Sequence, residues 1–265
     1  AIRRSVRIVN SPTARHQRSR RARATTLMAA ATTTGKLELV IGNRTYSSWS
    51  LRGYLLLAEA QGLEFSTKRI PLFTKAWDTT IGAHSPARRV PVLHDGALTV
   101  WDTAAMAEHL IERFGERAVG YPHDAAARAL ARSISMEMHS GFLAIREELP
   151  FNVRRANEPP AQPLSATCEA QVRRTQAIWA ECYDKFGGPF LFGAKFGVAD
   201  AMYAPVALRF VTYGIPVDAA AQKFVDAVCG LESVKEWKAA ALEEDEHIDF
   251  IDTTAPIENE PITLG

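Results

Sequence analysis

Leu37-Glu-Leu-Val-Ile41 and, after a short polar loop, Trp49-Ser-Leu-Arg-Gly-Tyr-Leu-Leu-Leu-Ala-Glu-Ala-Gln61 begin the part of the chain with regular patterns. In the first segment, apolar side chains recur at every second position, which predicts a β-strand. In the second, helix-forming residues follow a run of serines suited to cap a helix, and Gly62 stands where the helix would end. A strand that leads directly into a helix is therefore expected.

The pattern continues as a strand, a hairpin and a helix. Phe65 to Ile70 is typical of a second strand. Residues 91–94 and 97–101 flank the dipeptide Asp95-Gly96, which predicts a β-hairpin. A further helix is predicted from Asp102 to Phe114, where Gly115 ends it. The order βαβ, a less regular stretch, then ββα predicts a small mixed sheet with helices packed on it.

From Asp124 onward only helical patterns occur. One face of a single long helix is predicted from apolar residues that step by three or four positions, namely Leu130, Ile134, Met138, Phe142, Ile145 and Leu149. Further helices are predicted at about residues 164–186, 198–213, 218–229 and 232–243. The acidic run at 243–246 is expected to be a solvated helix end. The chain is thus predicted to be an α+β domain followed, after a linker near 116–123, by an all-α domain.

The composition is that of an ordinary globular protein. The 265 residues are 47% hydrophobic and 23% charged, which excludes collagen-like repeats, coiled coil and wholesale disorder. No apolar run approaches the roughly 18 residues of a membrane-spanning helix, so no membrane partner is expected. Three cysteines without a CxxC pair argue against a disulfide framework and favour a reducing, cytoplasmic setting. No metal site is expected, because no metal-ligand spacing occurs among His84, His94, His109, His123 and His139.

The charge is unevenly distributed along the chain. Residues 1–36 carry eight arginines and one lysine but no acidic residue, whereas the rest has 22 basic and 30 acidic residues, a net charge of −8. A mildly acidic body argues against a nucleic-acid partner. The basic segment has the composition of a transit peptide, so residues 1–35 predict plastid or mitochondrial import. The alternative is a disordered basic presequence or extension over residues 1–36, with Met28 as the start of the functional protein.

Three features are candidate site elements. Ser47-x-x-Ser50 stands at the N-terminus of the first helix, where unpaired N–H groups and the helix dipole favour an anion. Thioredoxin-like folds hold reactive CxxC cysteines at this junction, so the serine hydroxyls are expected either to cap the helix or to donate hydrogen bonds to a ligand's thiolate. Val90-Pro91 precedes a hairpin strand and predicts an edge or a bend. Asp102-Thr103 begins a helix, which it either caps or uses to hold a ligand's amino and carboxylate groups.

Taken together, these motifs resemble those of the soluble glutathione S-transferases. In the first half the resemblance rests on Tyr-Ser-Ser-Trp-Ser-Leu-Arg at 46–52, Ser-Pro-x-x-Arg-Val-Pro-Val-Leu at 85–93 and Val-Trp-Asp-Thr-Ala-Ala-Met-x-Glu-His-Leu at 100–110. In the helical half, residues 137–142 and 151–154 are similar to a bacterial-type serine subgroup related to the zeta class, and residues 196–205 resemble the family's buried helix-start motif around an aspartate. The resemblance covers about residues 37–250.

The resemblance implies a thioredoxin-like glutathione-binding domain at 37–118 and an all-helical electrophile-binding domain at 124–253, in a homodimer. The implied activity is attack of the glutathione thiol on a small hydrophobic electrophile. The alternatives are a non-catalytic scaffold that binds glutathione or another ligand, and a glutathione-dependent isomerase or peroxidase. Trp49 stands where the zeta class has a cysteine, which argues against maleylacetoacetate isomerase activity.

Residue roles follow from the same resemblance. Ser47 is the expected stabiliser of the glutathione thiolate, with Ser48 as the runner-up. The Val90 backbone is expected to pair with the cysteinyl backbone of glutathione, with a cis bond to Pro91. Asp200 is expected to cap its helix rather than touch substrate. The γ-glutamyl end is assigned to Asp102 and Thr103, and the electrophile pocket to His139, Phe142 and Arg146.

Overall fold

The computed structural model describes residues 35–252, and those from Lys36 onward belong to one compact unit. One sheet has four strands, β1 (Leu37–Ile41), β2 (Phe65–Arg69), β3 (Val92–Asp95) and β4 (Leu98–Trp101). Their order in the sheet is β2-β1-β3-β4, in which β1 pairs parallel with β2 and antiparallel with β3, and β3 pairs antiparallel with β4. The predicted small mixed sheet is confirmed.

Helices cover the sheet and make up the second half of the described residues. The first three are α1 (Ser48–Ala58), α2 (Lys75–His84) and α3 (Thr103–Phe114). After a 3-10 turn at Gly115–Arg117 come α4 (Ala125–Ser140), α5 (Leu143–Glu148), α6 (Ala166–Phe186), α7 (Val198–Tyr213), α8 (Ala219–Gly230), α9 (Glu232–Leu242) and α10 (Asp249–Asp252). None of the helices in this part of the chain is long and apolar enough to cross a membrane.

The two faces of the sheet bury different side chains. Leu39 and Ile41 of β1 join the main hydrophobic core, which continues without interruption through α1 into the helical half. On the opposite face, Val40 packs with Val92 and with Ile81 of α2 in a smaller cluster. The period-two pattern of β1 is therefore explained by one face on the main core and one face under α2.

Helix α7 is the centre of the helical half, and nearly all its residues are buried. Its N-terminus is capped by Asp200, whose carboxylate accepts hydrogen bonds from the N–H groups of Gly197 and Leu191, both at 2.8 Å. Burial raises the Asp200 pKa to about 7, and the two N–H donors oppose that shift. Asp200 thus makes the helix-capping contacts that were expected of it.

Two expectations about helices in the sequence were wrong. The less regular stretch contains α2, which is capped by Thr74 and buries only Ile81, so it lacks a wide apolar face that would have revealed it. The single long helix is divided into α4 and α5, because Phe142 adopts a left-handed conformation with φ of 58°. The apolar face was nevertheless predicted correctly, since Ile145 and Leu149 are fully buried on the far side of the break.

The acidic run after α9 is not a solvated helix end, as had been expected. Glu244 is buried, and its carboxylate accepts hydrogen bonds from the backbone N–H groups of Arg44 at 2.9 Å and Thr45 at 3.2 Å. Glu246 pairs with Arg69 at 2.6 Å. The end of the helical half therefore holds the loop between β1 and α1. The predicted basic extension lies almost entirely at residues 1–34, outside the described residues.

Candidate functional site

The N-terminus of α1 is built from a short chain of hydroxyl groups. Ser47 is the cap residue, and its Oγ accepts a hydrogen bond from the Ser50 N–H at 3.2 Å. The hydroxyls of Ser47 and Ser50 lie 2.8 Å apart, and the N–H of Gly42 donates to Ser50 Oγ at 3.0 Å. All of these side-chain contacts are buried, so the predicted Ser-x-x-Ser pair caps the helix.

Ser48 has a different environment from its neighbour. Its Oγ accepts a hydrogen bond from Arg209 Nη2 at 3.3 Å, and Arg209 is held by a second bond from its Nε to the Leu149 carbonyl at 2.7 Å. Burial, together with the nearby charge of Arg146, lowers the Arg209 pKa to about 9. The two adjacent serines thus differ, since one caps the helix and the other contacts a buried cation.

Three arginines, which we call the arginine cluster (Arg52, Arg146 and Arg209), surround the start of α1. Arg52 is fully buried, donates from Nε to the Met202 carbonyl at 2.9 Å and leaves both Nη atoms without a hydrogen-bond partner. Burial and the charges of the other two members hold the Arg52 pKa well below its usual value. Because buried guanidinium groups normally have anionic or carbonyl partners, this cluster produces a positive potential beside Ser47 and Ser48.

Trp49 connects the arginine cluster to the start of α3. Its ring lies under the guanidinium groups of Arg52 at 4.5 Å and Arg146 at 4.8 Å. The His139 ring meets Trp49 edge-on at 5.2 Å, and His139 Nε2 lies 2.8 Å from Asp102 Oδ2. His139 of the helical half therefore contacts two residues of the sheet domain, Trp49 and Asp102.

Asp102 and Thr103 occupy the turn into α3. Asp102 has φ of 73° and caps the helix, with Oδ1 accepting from the Ala104 N–H at 2.8 Å. Its side chain is 46% exposed, so the carboxylate has surface free for a ligand besides its contact with His139. The Thr103 hydroxyl is buried beside Met202. The geometry is compatible with helix capping and with ligand binding by Asp102, because a carboxylate that accepts one hydrogen bond has further lone pairs that accept others.

The Val90–Pro91 peptide bond is cis, as the resemblance implies. Pro91 is buried immediately before β3 and lies against Gly53 of α1. A Cβ atom added at Gly53 would stand 2.9 Å from Pro91 Cγ and 3.2 Å from Met106 Cε, so only glycine permits this approach. The turn that carries Val90 is therefore positioned by the helix that carries the serines.

The three residues assigned to the electrophile pocket have different surroundings. His139 and Arg146 both contact Trp49 at the edge of the site. Phe142, by contrast, is a buried core residue whose ring meets Tyr203 edge-on at 6.3 Å. The left-handed turn at Phe142 directs its ring into the core, which leaves His139 and Arg146 as the members near the site.

Two family models match this chain and account for both halves. Residues 46–113 match the N-terminal domain of glutathione S-transferase, and residues 124–239 match the C-terminal domain. The chain belongs to the glutathione S-transferase family. Glutathione S-transferase D6 of Drosophila melanogaster is 29% identical over 85 residues, which are 31% of this chain and 38% of that protein. The match thus spans well under half the length of that curated relative.

Solved structures with the glutathione transferase fold are similar over most of the chain. A glutathione transferase homologue from Burkholderia, with bound glutathione, has a TM-score of 0.61 at 23% identity, covering 79% of this chain and all of that one. A family member from Pseudomonas fluorescens, with two glutathione molecules bound, has a TM-score of 0.57 at 16% identity, covering 81% and 97%. The tau-class enzyme from mango has a TM-score of 0.60 at 17% identity, covering 83% and 99%. The predicted architecture is confirmed.

Several residues at this transferase-family site were not predicted from the sequence. Ser50 was part of the serine motif, but its contact with the Ser47 hydroxyl depends on the helix turn. Arg209 contacts Ser48 at the start of α1, and Glu244 contacts Arg44 in the loop before it. Each pair lies more than 150 positions apart in the sequence, so no local pattern could have identified it. A separate cleft between the linker at 115–123 and residues 190–199 contains none of the predicted site residues.

Proposed function

We propose that this chain is a glutathione transferase that activates the glutathione thiol with the Ser47 hydroxyl at the start of α1. A thiol with a pKa near 8.5 is mostly protonated at neutral pH, and only the thiolate is a good nucleophile. The observation that carries the proposal is the buried hydroxyl pair of Ser47 and Ser50 beside the arginine cluster, in which both Nη atoms of Arg52 and Nη1 of Arg209 have no hydrogen-bond partner. Both features favour a negative charge at this position.

The hydroxyl pair can reverse its hydrogen bond when a ligand binds. Ser47 Oγ donates to Ser50 Oγ at 2.8 Å, and Ser50 Oγ also accepts from the Gly42 N–H. Because hydroxyl protons rotate to suit their partners, Ser50 would then donate to the Ser47 oxygen, and the Ser47 proton would be donated to the ligand sulfur. The thiol proton leaves to solvent, and the thiolate then attacks the electrophilic carbon. With an aryl halide, the C–S bond of the thioether forms as the carbon–halogen bond breaks and halide leaves to solvent. Ser50 would act as a positioning residue for Ser47.

Ser48 is the competing candidate for the same role. Its oxygen accepts from Arg209, which polarises the hydroxyl and makes it a stronger donor. In the proposal, the arginine cluster supplies the positive potential, Ser48 accepts a hydrogen bond from Arg209, and Ser47 donates the hydrogen bond to sulfur. Val90 would pair with the cysteinyl backbone, and Asp102 with Thr103 would hold the γ-glutamyl end.

Glutathione binding is the first test of this proposal. Calorimetric titration of the chain with glutathione is expected to show one saturable site per chain, and Asp102→Ala is expected to weaken it. Conjugation of a hydrophobic aryl halide, peroxide reduction and maleyl-isomer turnover are then measured side by side. Binding without turnover of any of them would favour the scaffold alternative, and no heat at millimolar glutathione would contradict the proposal itself.

We also propose a homodimer and a targeting role for residues 1–35. The dimer proposal is supported by Leu98 and Trp101 on the edge strand β4, which are 53% and 45% exposed and which a second copy would cover. Light scattering after size exclusion tests the dimer, and a monomer at micromolar concentration would contradict it. A fluorescent fusion of residues 1–35 tests import into plastids or mitochondria.

A further inference from the structure

Three potential metal ligands converge on the sheet face that carries α2. Glu38 of β1 and His94 of β3 are direct register partners, and His84 is the last residue of α2. Each side chain is half-buried, and one ligand atom from each lies within 4.8 Å of the others. His84 Nδ1 and His94 Nε2 are 3.2 Å apart. The separation of these residues along the sequence explains why no motif revealed them.

We propose that Glu38, His84 and His94 form a binding site for a divalent transition-metal ion, with Zn²⁺ as the expected occupant. Two imidazole nitrogens and one carboxylate oxygen are a donor set that zinc uses in proteins, with a water molecule in the fourth position. Two ligands about 2.0–2.1 Å from a tetrahedral ion stand roughly 3.3 Å from each other, which matches the 3.2 Å between His84 Nδ1 and His94 Nε2.

The rings are already oriented for this role by their other nitrogens. His94 Nδ1 lies 3.3 Å from the Thr99 hydroxyl on β4, so its Nε2 points at His84. His84 Nε2 lies 2.9 Å from Lys68 Nζ on β2. Residues that hold the non-ligating nitrogen of a histidine are the usual outer shell of a metal site. Thr99 would be such a positioning residue.

Lys68 has the opposite effect on a bound ion. An ammonium group can only donate, so His84 Nε2 accepts from Lys68 and the proton of neutral His84 is on Nδ1. His84 Nδ1–H then donates to His94 Nε2, and His94 Nδ1–H donates to Thr99. Metal binding requires the His84 proton to shift from Nδ1 to Nε2, which breaks the contact with Lys68. The lysine therefore weakens binding, both through that lost bond and through its charge.

The metal site is separate from the proposed glutathione site. Glu38 lies near the start of β1, whereas the loop to Ser47 leaves the end of that strand. A bound ion would join α2 to two strands of the sheet. Because α2 buries only Ile81, such a link is expected to stabilise it against local opening. This consequence does not depend on whether glutathione binds.

Metal titration of the full chain tests the proposal. The protein carries no polyhistidine tag and is kept free of glutathione, which itself binds metals. Calorimetry with Zn²⁺ is expected to show one ion per chain, and Co²⁺ is expected to give a visible absorption band of a low-coordinate site. Zn²⁺ is also expected to raise the melting temperature. The absence of a saturable site at one equivalent would overturn the proposal.

Substitutions locate the ion. His84→Ala and His94→Ala are each expected to weaken Zn²⁺ binding at least tenfold, Thr99→Val less strongly, and Lys68→Met to tighten it by about tenfold. His247→Ala is the matched control, because His247 is 70% exposed and contacts Asp252 instead. If neither His84→Ala nor His94→Ala changes the affinity, the ion lies elsewhere and the assignment is wrong. Glutathione binding is expected to be equal in all these variants.

Discussion

His139 Nε2 of α4 lies 2.8 Å from Asp102 Oδ2 at the start of α3, so a residue of the helical half contacts the turn assigned to glutathione. The same carboxylate caps α3 through the Ala104 N–H. Its orientation is thus determined by one contact within its own helix and one from across the site. The two family domains therefore contribute jointly to the position of one carboxylate.

His139→Ala is expected to weaken glutathione binding without a comparable loss of turnover. The imidazole holds the Asp102 carboxylate toward the site, and this half-exposed pair is expected to contribute about 1 kcal/mol, or roughly fivefold in affinity. KM for glutathione should therefore rise while kcat changes little. His123→Ala, at an 83% exposed side chain outside the site, is the control. An unchanged KM would show that Asp102 does not hold the ligand or does not need His139.

Ser47→Ala is expected to slow conjugation far more than it weakens glutathione binding. The lost hydrogen bond to a charged sulfur corresponds to about 1.5–3 kcal/mol, which is roughly a 10- to 150-fold lower rate near neutral pH. The thiol pKa of bound glutathione should rise, so the rate should recover as the pH rises. Stopped-flow conjugation across a pH series measures both effects.

Ser48→Ala and Ser50→Ala distinguish the three hydroxyls at this helix start. Ser50→Ala removes the hydroxyl partner of Ser47 and is expected to slow the reaction less than Ser47→Ala does. Ser48→Ala removes only the contact with Arg209 and is expected to have a small effect. If Ser48→Ala abolishes activity while Ser47→Ala leaves the pH profile intact, the assignment is wrong by one residue.

Gly53→Ala is expected to lower the free energy of unfolding by about 1–3 kcal/mol, because the new methyl group meets the rigid Pro91 ring. The usual helical gain of about 1 kcal/mol for Gly→Ala opposes this loss. Gly230→Ala in α8 is the matched control, since a Cβ there meets nothing within 4 Å. Urea denaturation of both variants gives the comparison. Equal stability of the two variants would show that the turn at Pro91 moves to make room for the methyl group on α1. Glutathione affinity of Gly53→Ala should then fall instead, because that turn carries Val90.

Asp200 is expected to make stability depend on pH in a specific direction. Its pKa is about 7 in the folded protein, against an ordinary value of 3.8, so the folded state keeps a proton that the unfolded state loses. Its contribution to stability is therefore full below about pH 4 and is lost as the pH rises toward 7. The unfolding free energy of the parent minus that of Asp200→Asn should therefore decrease as the pH rises from about 4 to 7. A constant difference would mean that the two N–H donors keep Asp200 ionised throughout.

The spacing of apolar residues, together with glycine, proline and capping residues at the ends, predicted most helices and strands closely. The helix expected at 198–213 is Val198–Tyr213, and the one expected at 164–186 is Ala166–Phe186. Both predictions succeed because a buried helix repeats its apolar residues. For Ala166–Phe186, the capping residues Ser165 and Gly187 also mark the two ends. Helix α2 was missed because it buries a single residue, and the break at Phe142 was missed because Ile145 and Leu149 keep the helical spacing beyond it.

Apart from α2 and the break at Phe142, the sequence by itself determined the order of elements. It also determined the family and the serine, proline and aspartate motifs, because each of these depends on residues close together in the chain. Only the tertiary structure decided the surroundings of those motifs. Arg209 reaches Ser48, Glu244 holds the loop before Ser47, and Glu38 meets His84 and His94, all across long sequence separations. Such contacts depend on how helices and strands pack against each other. Local spacing carries no information about them, because a charge or a hydroxyl acts through distance in space and not through position along the chain.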